Sequence, residues 1–271
     1  MRHAPLLACL VFVVATSAVA APWGFLNRNS AARDPSPPWN WTDERELGPY
    51  QFRSEFPLND VQGLVQDLGD LQDDLEHALS VKCEPTAIQI HLFGSKRTYD
   101  QFLRIREPEG IKRKALYIPG PDAGQIYAYR QNDLDTDVRH ETTHALLHSA
   151  LPYVPLWIDE GFAEYFEVPP KLRAKSNPHH KELRDAIRFY RWKPNIEQLE
   201  AKRRMLDMNG KDYRDAWGIV HFILLGPPAA RDALAVYFDE IQSGAAPTPL
   251  SQQLKKRIPN LEQAIVEHLM K

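Results

Sequence analysis

Strand patterns stop at about residue 130, and everything beyond Asp135 alternates between helical periodicity and proline. That division constrains the fold more than any other feature of the chain. Before it, Tyr50 to Phe56 alternates like a strand, and Asn59 to Leu79 spaces Val61, Leu64, Val65, Leu68, Leu71, Leu75 and Leu79 at helical intervals. A strand over 86–93, a short helix over 99–105 and strands over 116–118 and 125–130 follow, the last two joined through Pro119, Gly120, Pro121 and Gly124. After it, helices are predicted at 135–150, 156–167, 179–190, 212–225, 229–242 and 259–270, punctuated by Pro152, Pro155, Pro169, Pro170, Pro227 and Pro228. The expected class is α+β, with a small α/β layer over 49–134 feeding a mainly helical half over 135–271. Clefts tend to form at such a seam.

The N-terminus follows different rules. Arg2 and His3 precede an apolar run from Leu6 to Val14, and Ala18, Val19 and Ala20 form a small-residue cleavage pattern, so residues 1–20 read as a signal peptide. The run is well short of the roughly 20 residues that span a bilayer. The expectation is an exported chain, secreted or periplasmic, without a stable membrane anchor after cleavage. Residues 21–48 carry Pro22, Pro35, Pro37 and Pro38 with Trp23, Trp39 and Trp41 and no period, and read as a linker pinned by its tryptophans. Cys9 falls in the leader, so Cys83 stands alone and no disulfide framework is available; it reads as a small buried apolar residue rather than a nucleophile. A formal net charge of -3 offers no global basic field, which argues against nucleic acid as a partner. The short basic run Lys202, Arg203 and Arg204 reads as a solvated face.

His140-Glu141-Thr142-Thr143-His144 is the most informative pentapeptide. On a helix, residues four apart lie one turn apart on the same face, so both imidazoles can bind one ion, while Glu141 can reach a water on that ion without being a ligand. Leu134, Val138, Leu146, Leu147 and Ala150 supply the apolar stripe, and Asp135 and Asp137 suit the positive end of the helix dipole. The spacing is that of a zinc site in a peptidase.

A catalytic zinc takes three protein ligands and leaves one position to water. A third histidine is not supplied where it would be needed: Leu147 and Ala150 stand at the positions for glycine and histidine in the longer histidine motif. His148 drifts around the helix axis and reads as a polar neighbour. Glu160, in Leu156-Trp157-Ile158-Asp159-Glu160-Gly161-Phe162-Ala163-Glu164-Tyr165-Phe166, is the better candidate. If Pro152 ends one helix and Pro155 starts the next, His144 and Glu160 lie at depths below the turn that agree to within one helical turn. Gly161 would then let the two helices approach closely. Glu164, on the same face as Glu160, reads as an acceptor for a ligand histidine or as a solvated carboxylate. Asp159 is the rival ligand, about 100° around the axis. His179 and His180 read as exposed.

At these residues the chain resembles the gluzincin peptidases, and most of all exported bacterial domains in which His-Glu-x-x-His precedes a Trp-x-x-Glu-Gly-x-Ala-Glu-Tyr segment. His140, Glu141, His144, Trp157, Glu160, Gly161, Ala163, Glu164 and Tyr165 carry the match, within residues 135–167. The resemblance implies a zincin-like fold in which an edge strand before the metal helix, here Gln125 to Arg130, pairs with an extended substrate; an interior strand is the other reading. It also implies a tyrosine on a later helix that steadies the oxyanion. Tyr213, first of a stripe with Trp217 and His221, stands in that order; the alternative places the whole stripe in the core. The Gly-x-Met-Glu-Asn segment that reads a free amine in aminopeptidases is absent, so that specificity does not carry over.

The expected activity is zinc-dependent hydrolysis of internal peptide bonds, with Glu141 as general base and a peptide or protein as substrate. A non-catalytic zinc-containing envelope binding protein, and a zinc hydrolase of a non-peptide amide or ester, are the alternatives.

Overall fold

The computed structural model describes residues 39–271 except 85, 175 and 176, so the signal-peptide reading and most of the expected linker lie outside the described residues. Five strands, β1 (Asp43–Leu47), β2 (Tyr50–Ser54), β3 (Ala87–Phe93), β4 (Ala115–Ile118) and β5 (Ala123–Tyr129), form one mixed sheet in the order β1-β2-β3-β5-β4. The central strands β2, β3 and β5 run parallel; β1 and β4 run antiparallel at the two edges. Helices α1 (Gln62–Leu79) and α2 (Lys96–Arg106) lie among the strands in sequence. Beyond β5 come α3 (Leu134–Ala150), α4 (Leu156–Phe166), α5 (Pro170–Arg173), α6 (Pro178–Tyr190) and α7 (Ile196–Glu200). The remainder is α8 (Gly210–Leu225), α9 (Pro228–Gln242), α10 (Leu250–Arg257) and α11 (Leu261–Leu269). The class is α+β.

Alternation along the strands sorts side chains to the two faces. Phe52, Ile88, Ile90, Leu92, Ile126 and Ala128 join the large core with α1 and α3; Leu64, Leu68, Leu71, Leu75 and Leu79 of α1 recur at helical spacing on its buried face. On the opposite face Phe93 and Tyr127 pack with Tyr99 and Phe102 of α2, and Trp39 and Trp41 cover them. Trp39 lies 5.9 Å edge-on from the ring of Phe93, and Trp41 lies 5.4 Å from the same ring.

One expectation is corrected here, and one of two open readings is decided. Residues 43–47 are not linker but edge strand β1, turned onto β2 through Gly48 at φ +58, a left-handed conformation that suits glycine. The strand over 125–130 is interior, because β5 inserts between β3 and β4; the edge beside α3 is β4.

The metal-motif hairpin is tied internally. Pro152 follows the end of α3, and Pro155 is the N-cap of α4. Thr142 and Thr143 satisfy their hydroxyls within the helix, on the carbonyls of Val138 at 2.7 Å and Arg139 at 2.9 Å. Arg139 is itself buried and donates to the carbonyls of Phe166 and Val168, fastening the end of α4 to α3.

Candidate metal centre

His140 and His144 stand one turn apart on α3, with ring centroids 5.0 Å apart. Their Nε2 atoms lie 3.6 Å and 3.8 Å from the same oxygen, Oε2 of Glu160 on α4. The three donor atoms all fall within 4.8 Å of one another. Donors about 2.0–2.1 Å from a tetrahedral zinc stand roughly 3.3 Å apart, so this cluster fits such an ion with a small contraction.

Each histidine is held from behind. Glu167 Oε2 lies 3.1 Å from Nδ1 of His140, and Asp159 Oδ1 lies 2.8 Å from Nδ1 of His144. An Nδ1–H donated to a carboxylate leaves the Nε2 lone pair for a metal. Burial works against charge on both rings, but the carboxylates outweigh it: Glu160 and Glu167 hold His140, and Asp159 and Glu160 hold His144, above the ordinary imidazole value. A field that favours an imidazolium here also favours a metal cation. Despite complete burial, Asp159 is held ionised by His144 and His148.

The rival positions fall outside the cluster. Asp159 bridges His144 and His148, whose Nε2 lies 2.9 Å from Oδ2. Glu164 forms, with His140 and Glu167, a second group whose donor atoms lie within 4.8 Å of one another, but it hydrogen-bonds His179, Oε2 to Nε2 at 2.9 Å, rather than a ligand histidine. Glu167, which the sequence reading passed over, takes that place. It stands seven residues after Glu160, on the same helical face, and that spacing was the available signal. His179 and His180 are not exposed: His179 is half-buried against Glu164 and His180 is buried.

Glu141 lies at the open edge of β4, where its Oε2 accepts the backbone N–H of Tyr117 at 2.7 Å. Ladder bonds alternate along a strand, so Ala115, two residues back, turns its N–H and C=O to the same open side, and it lines the cleft with the metal cluster. The cleft has a volume of about 600 Å³, and Met205 and Leu206 are among its lining residues.

Tyr213 lines this cleft too, half-buried in the first turn of α8, whose start is secured by a reciprocal cap between Asn209 and Asp212. Among the described residues its hydroxyl has no hydrogen-bond partner. Burial, aided by the charge of Glu160, raises its pKa well above that of free tyrosine, so it stays a protonated donor. Trp217 and His221 of the same stripe are core residues.

Gly161 brings α4 close to α8, not to α3 as the sequence suggested. A Cβ there would sit 2.9 Å from Val220 Cγ2 and 3.0 Å from the carbonyl oxygen of Ala216. Cys83 hydrogen-bonds the carbonyl of Leu146, and burial pushes its thiol up to about 11, out of the range of a neutral-pH nucleophile. Lys202 and Arg204 are occupied with Asp207 and Asp212 rather than forming a binding patch. Compared with protein-family models and with curated proteins, the chain matches none.

Proposed function

We propose that this cleft is the active site of a zinc-dependent peptidase that cleaves internal bonds of an extended peptide or protein substrate. The observation that carries the reading is the convergence of His140 Nε2 and His144 Nε2 on Glu160 Oε2, with a carboxylate behind each ring and Glu141 beside them. A structural zinc site closes with four protein ligands, whereas this cluster holds three. The related fold reading is zincin-like and gluzincin, supported by the order of two-histidine helix, glutamate helix and antiparallel edge strand. Export of the chain belongs to the same proposal.

A zinc ion held by these three atoms supplies Lewis acidity, drawing charge from a carbonyl oxygen and making water a better nucleophile near neutral pH. The rest of the chemistry falls to the chain. Ala115 binds the substrate backbone as an added strand, which selects an extended conformation without reading a sequence. Glu141 takes a proton from the attacking water and delivers it to the leaving nitrogen. Its Oε2 is fixed by Tyr117, leaving Oε1 to accept. Tyr213 donates its phenolic hydrogen to the oxygen that gains negative charge.

The test combines metal analysis with cleavage profiling of a peptide library. Glu141→Gln keeps an acceptor oxygen for Tyr117, so it should retain fold and zinc while losing turnover by at least about 100-fold to 10,000-fold. Unchanged cleavage in that variant removes Glu141 from the role of base, and a purified protein with no zinc and no turnover ends the reading.

A further inference from the structure

The charged groups around the cleft are almost all engaged. Glu160 faces the two histidines, Glu164 has His179, Glu167 has His140, Glu141 has the Tyr117 N–H, and Asp137 accepts from Gln131. Lys114, which also lines the cleft, pairs with Asp133 at 3.3 Å. Arg113 is different. Its half-buried side chain lines the cleft, and among the described residues its guanidinium makes no hydrogen bond or ion pair.

We infer that Arg113 is a substrate-binding residue that takes a carboxylate of the peptide lying along β4, so that the preferred substrates carry an acidic side chain or a free C-terminus close to the bond cleaved. This rests on the peptidase reading for the cleavage, but the recognition is separable from it. A guanidinium presents a planar fork of donors that matches a carboxylate, and in a cleft that excludes part of the solvent the pair outlasts its surface equivalent. Among the described residues none of these carboxylates lies within ion-pair distance of Arg113.

The strand sets the reach. Arg113 lies in the bend just before β4, four residues ahead of Tyr117, whose N–H meets Glu141, and an extended chain rises about 3.4 Å per residue, so the two backbone positions are no more than roughly 14 Å apart. A peptide paired with β4 therefore places its anionic group no more than about four residues from that bond. Met205 and Leu206 also line the cleft, and Leu206 is 92% exposed, which offers an apolar contact without a competing charge.

Binding measured without turnover decides the matter. The probe is the zinc-loaded Glu141→Gln full chain with labelled neutral peptides, blocked at both ends, in which a single Glu walks along the sequence. The controls are the matching Gln set and the neutral peptide with a free C-terminus. The expected result is an affinity gain of about 10-fold to 100-fold for Glu over Gln at one or two positions, or for the free carboxylate over the amide. Those two arms identify the source of the carboxylate. Adding Arg113→Gln should erase the gain while the neutral peptide binds as before, and raising salt should narrow it. Equal affinity for Glu and Gln peptides and for both C-termini, a gain that survives Arg113→Gln, or no binding in any arm overturns the inference. Absence of cleavage by the wild-type chain, with the binding preference present, instead removes the peptidase reading and leaves the carboxylate site standing.

Discussion

Asp159 spans two histidines: its Oδ1 lies 2.8 Å from Nδ1 of His144 and its Oδ2 lies 2.9 Å from Nε2 of His148. A carboxylate can accept from both rings, whereas an amide keeps one accepting oxygen. Asp159→Asn should therefore weaken zinc binding by about 10-fold to 100-fold without abolishing it, as expected when the group behind a ligand is impaired. Glu160→Ala removes a donor atom and should leave no bound zinc at equimolar metal. Chelator competition on both variants provides the comparison. Zinc retained by Glu160→Ala and lost by Asp159→Asn would transfer the ligand role to Asp159.

The convergence of His140, His144 and Glu160 was legible because a helix repeats with fixed geometry, and it follows from spacing and two prolines. What lies between elements was harder to read. β1, Asp-Glu-Arg-Glu-Leu, has no apolar alternation because it is an edge strand with one half-buried and four exposed residues. Which strand of the β4–β5 hairpin joins β3 leaves no trace in periodicity, so edge and interior readings of 125–130 both stay open until the sheet order places β5 inside. The short helix α10 was missed because only Leu250 and Leu254 mark its apolar face. Gly161 looked like a spacer for α3 because its partner helix, α8, is some fifty residues away in sequence.

Gly161→Ala tests that packing. One of the two atoms its methyl would meet is the backbone carbonyl of Ala216, which cannot swing away as a side-chain end can. Overpacking of this kind costs about 1–3 kcal/mol. Because the strain falls on α8 at Ala216 and Val220, within two turns of Tyr213, melting temperature and turnover should drop together while zinc content stays near that of wild type. A variant with unchanged melting temperature would mean that α4 and α8 have room to separate.

Acid should destabilise the folded chain through its buried histidines. His221 lies between the Ala174 carbonyl, 3.0 Å from Nε2, and His268, 2.9 Å from Nδ1. The carbonyl can only accept, so Nε2 carries the hydrogen and Nδ1 accepts from His268. Protonation places a second hydrogen at Nδ1, against the one His268 presents. Burial is the main cause that lowers His221 from 6.5 to about 4, and His268 is lowered as well. With folded values below the unfolded one, the unfolded chain binds protons first as pH falls. Stability is therefore fully present above about 6.5 and is lost as pH drops toward 4, by on the order of a few kcal/mol for His221. His91, stacked on Tyr127 and pushed by burial to about 3, adds to the loss in the same direction. Urea unfolding at several pH values should show this slope, and His221→Gln should flatten part of it. An unchanged slope would assign the acid sensitivity to other groups.

The last prediction separates catalysis from packing at Tyr213. The residue is half-buried, lines the cleft with His140, His144 and Glu160, and has no partner for its hydroxyl among the described residues. Trp217, one turn along, is fully buried and belongs to the core. The two positions on one helical stripe therefore predict opposite outcomes for conservative substitutions. Tyr213→Phe keeps the ring and its packing and removes only an oxygen that has no hydrogen-bond partner among the described residues. If that hydroxyl donates to the charge that develops during peptide hydrolysis, its loss should cut kcat by about 100-fold to 1000-fold and leave melting temperature and zinc content unchanged. KM should move little, because the interaction strengthens only as charge appears on the oxygen. Trp217→Phe should do the reverse, lowering melting temperature first through the volume it vacates. Turnover of Tyr213→Phe within a few-fold of wild type would return the tyrosine to a packing role and leave stabilisation of the oxyanion to the metal alone.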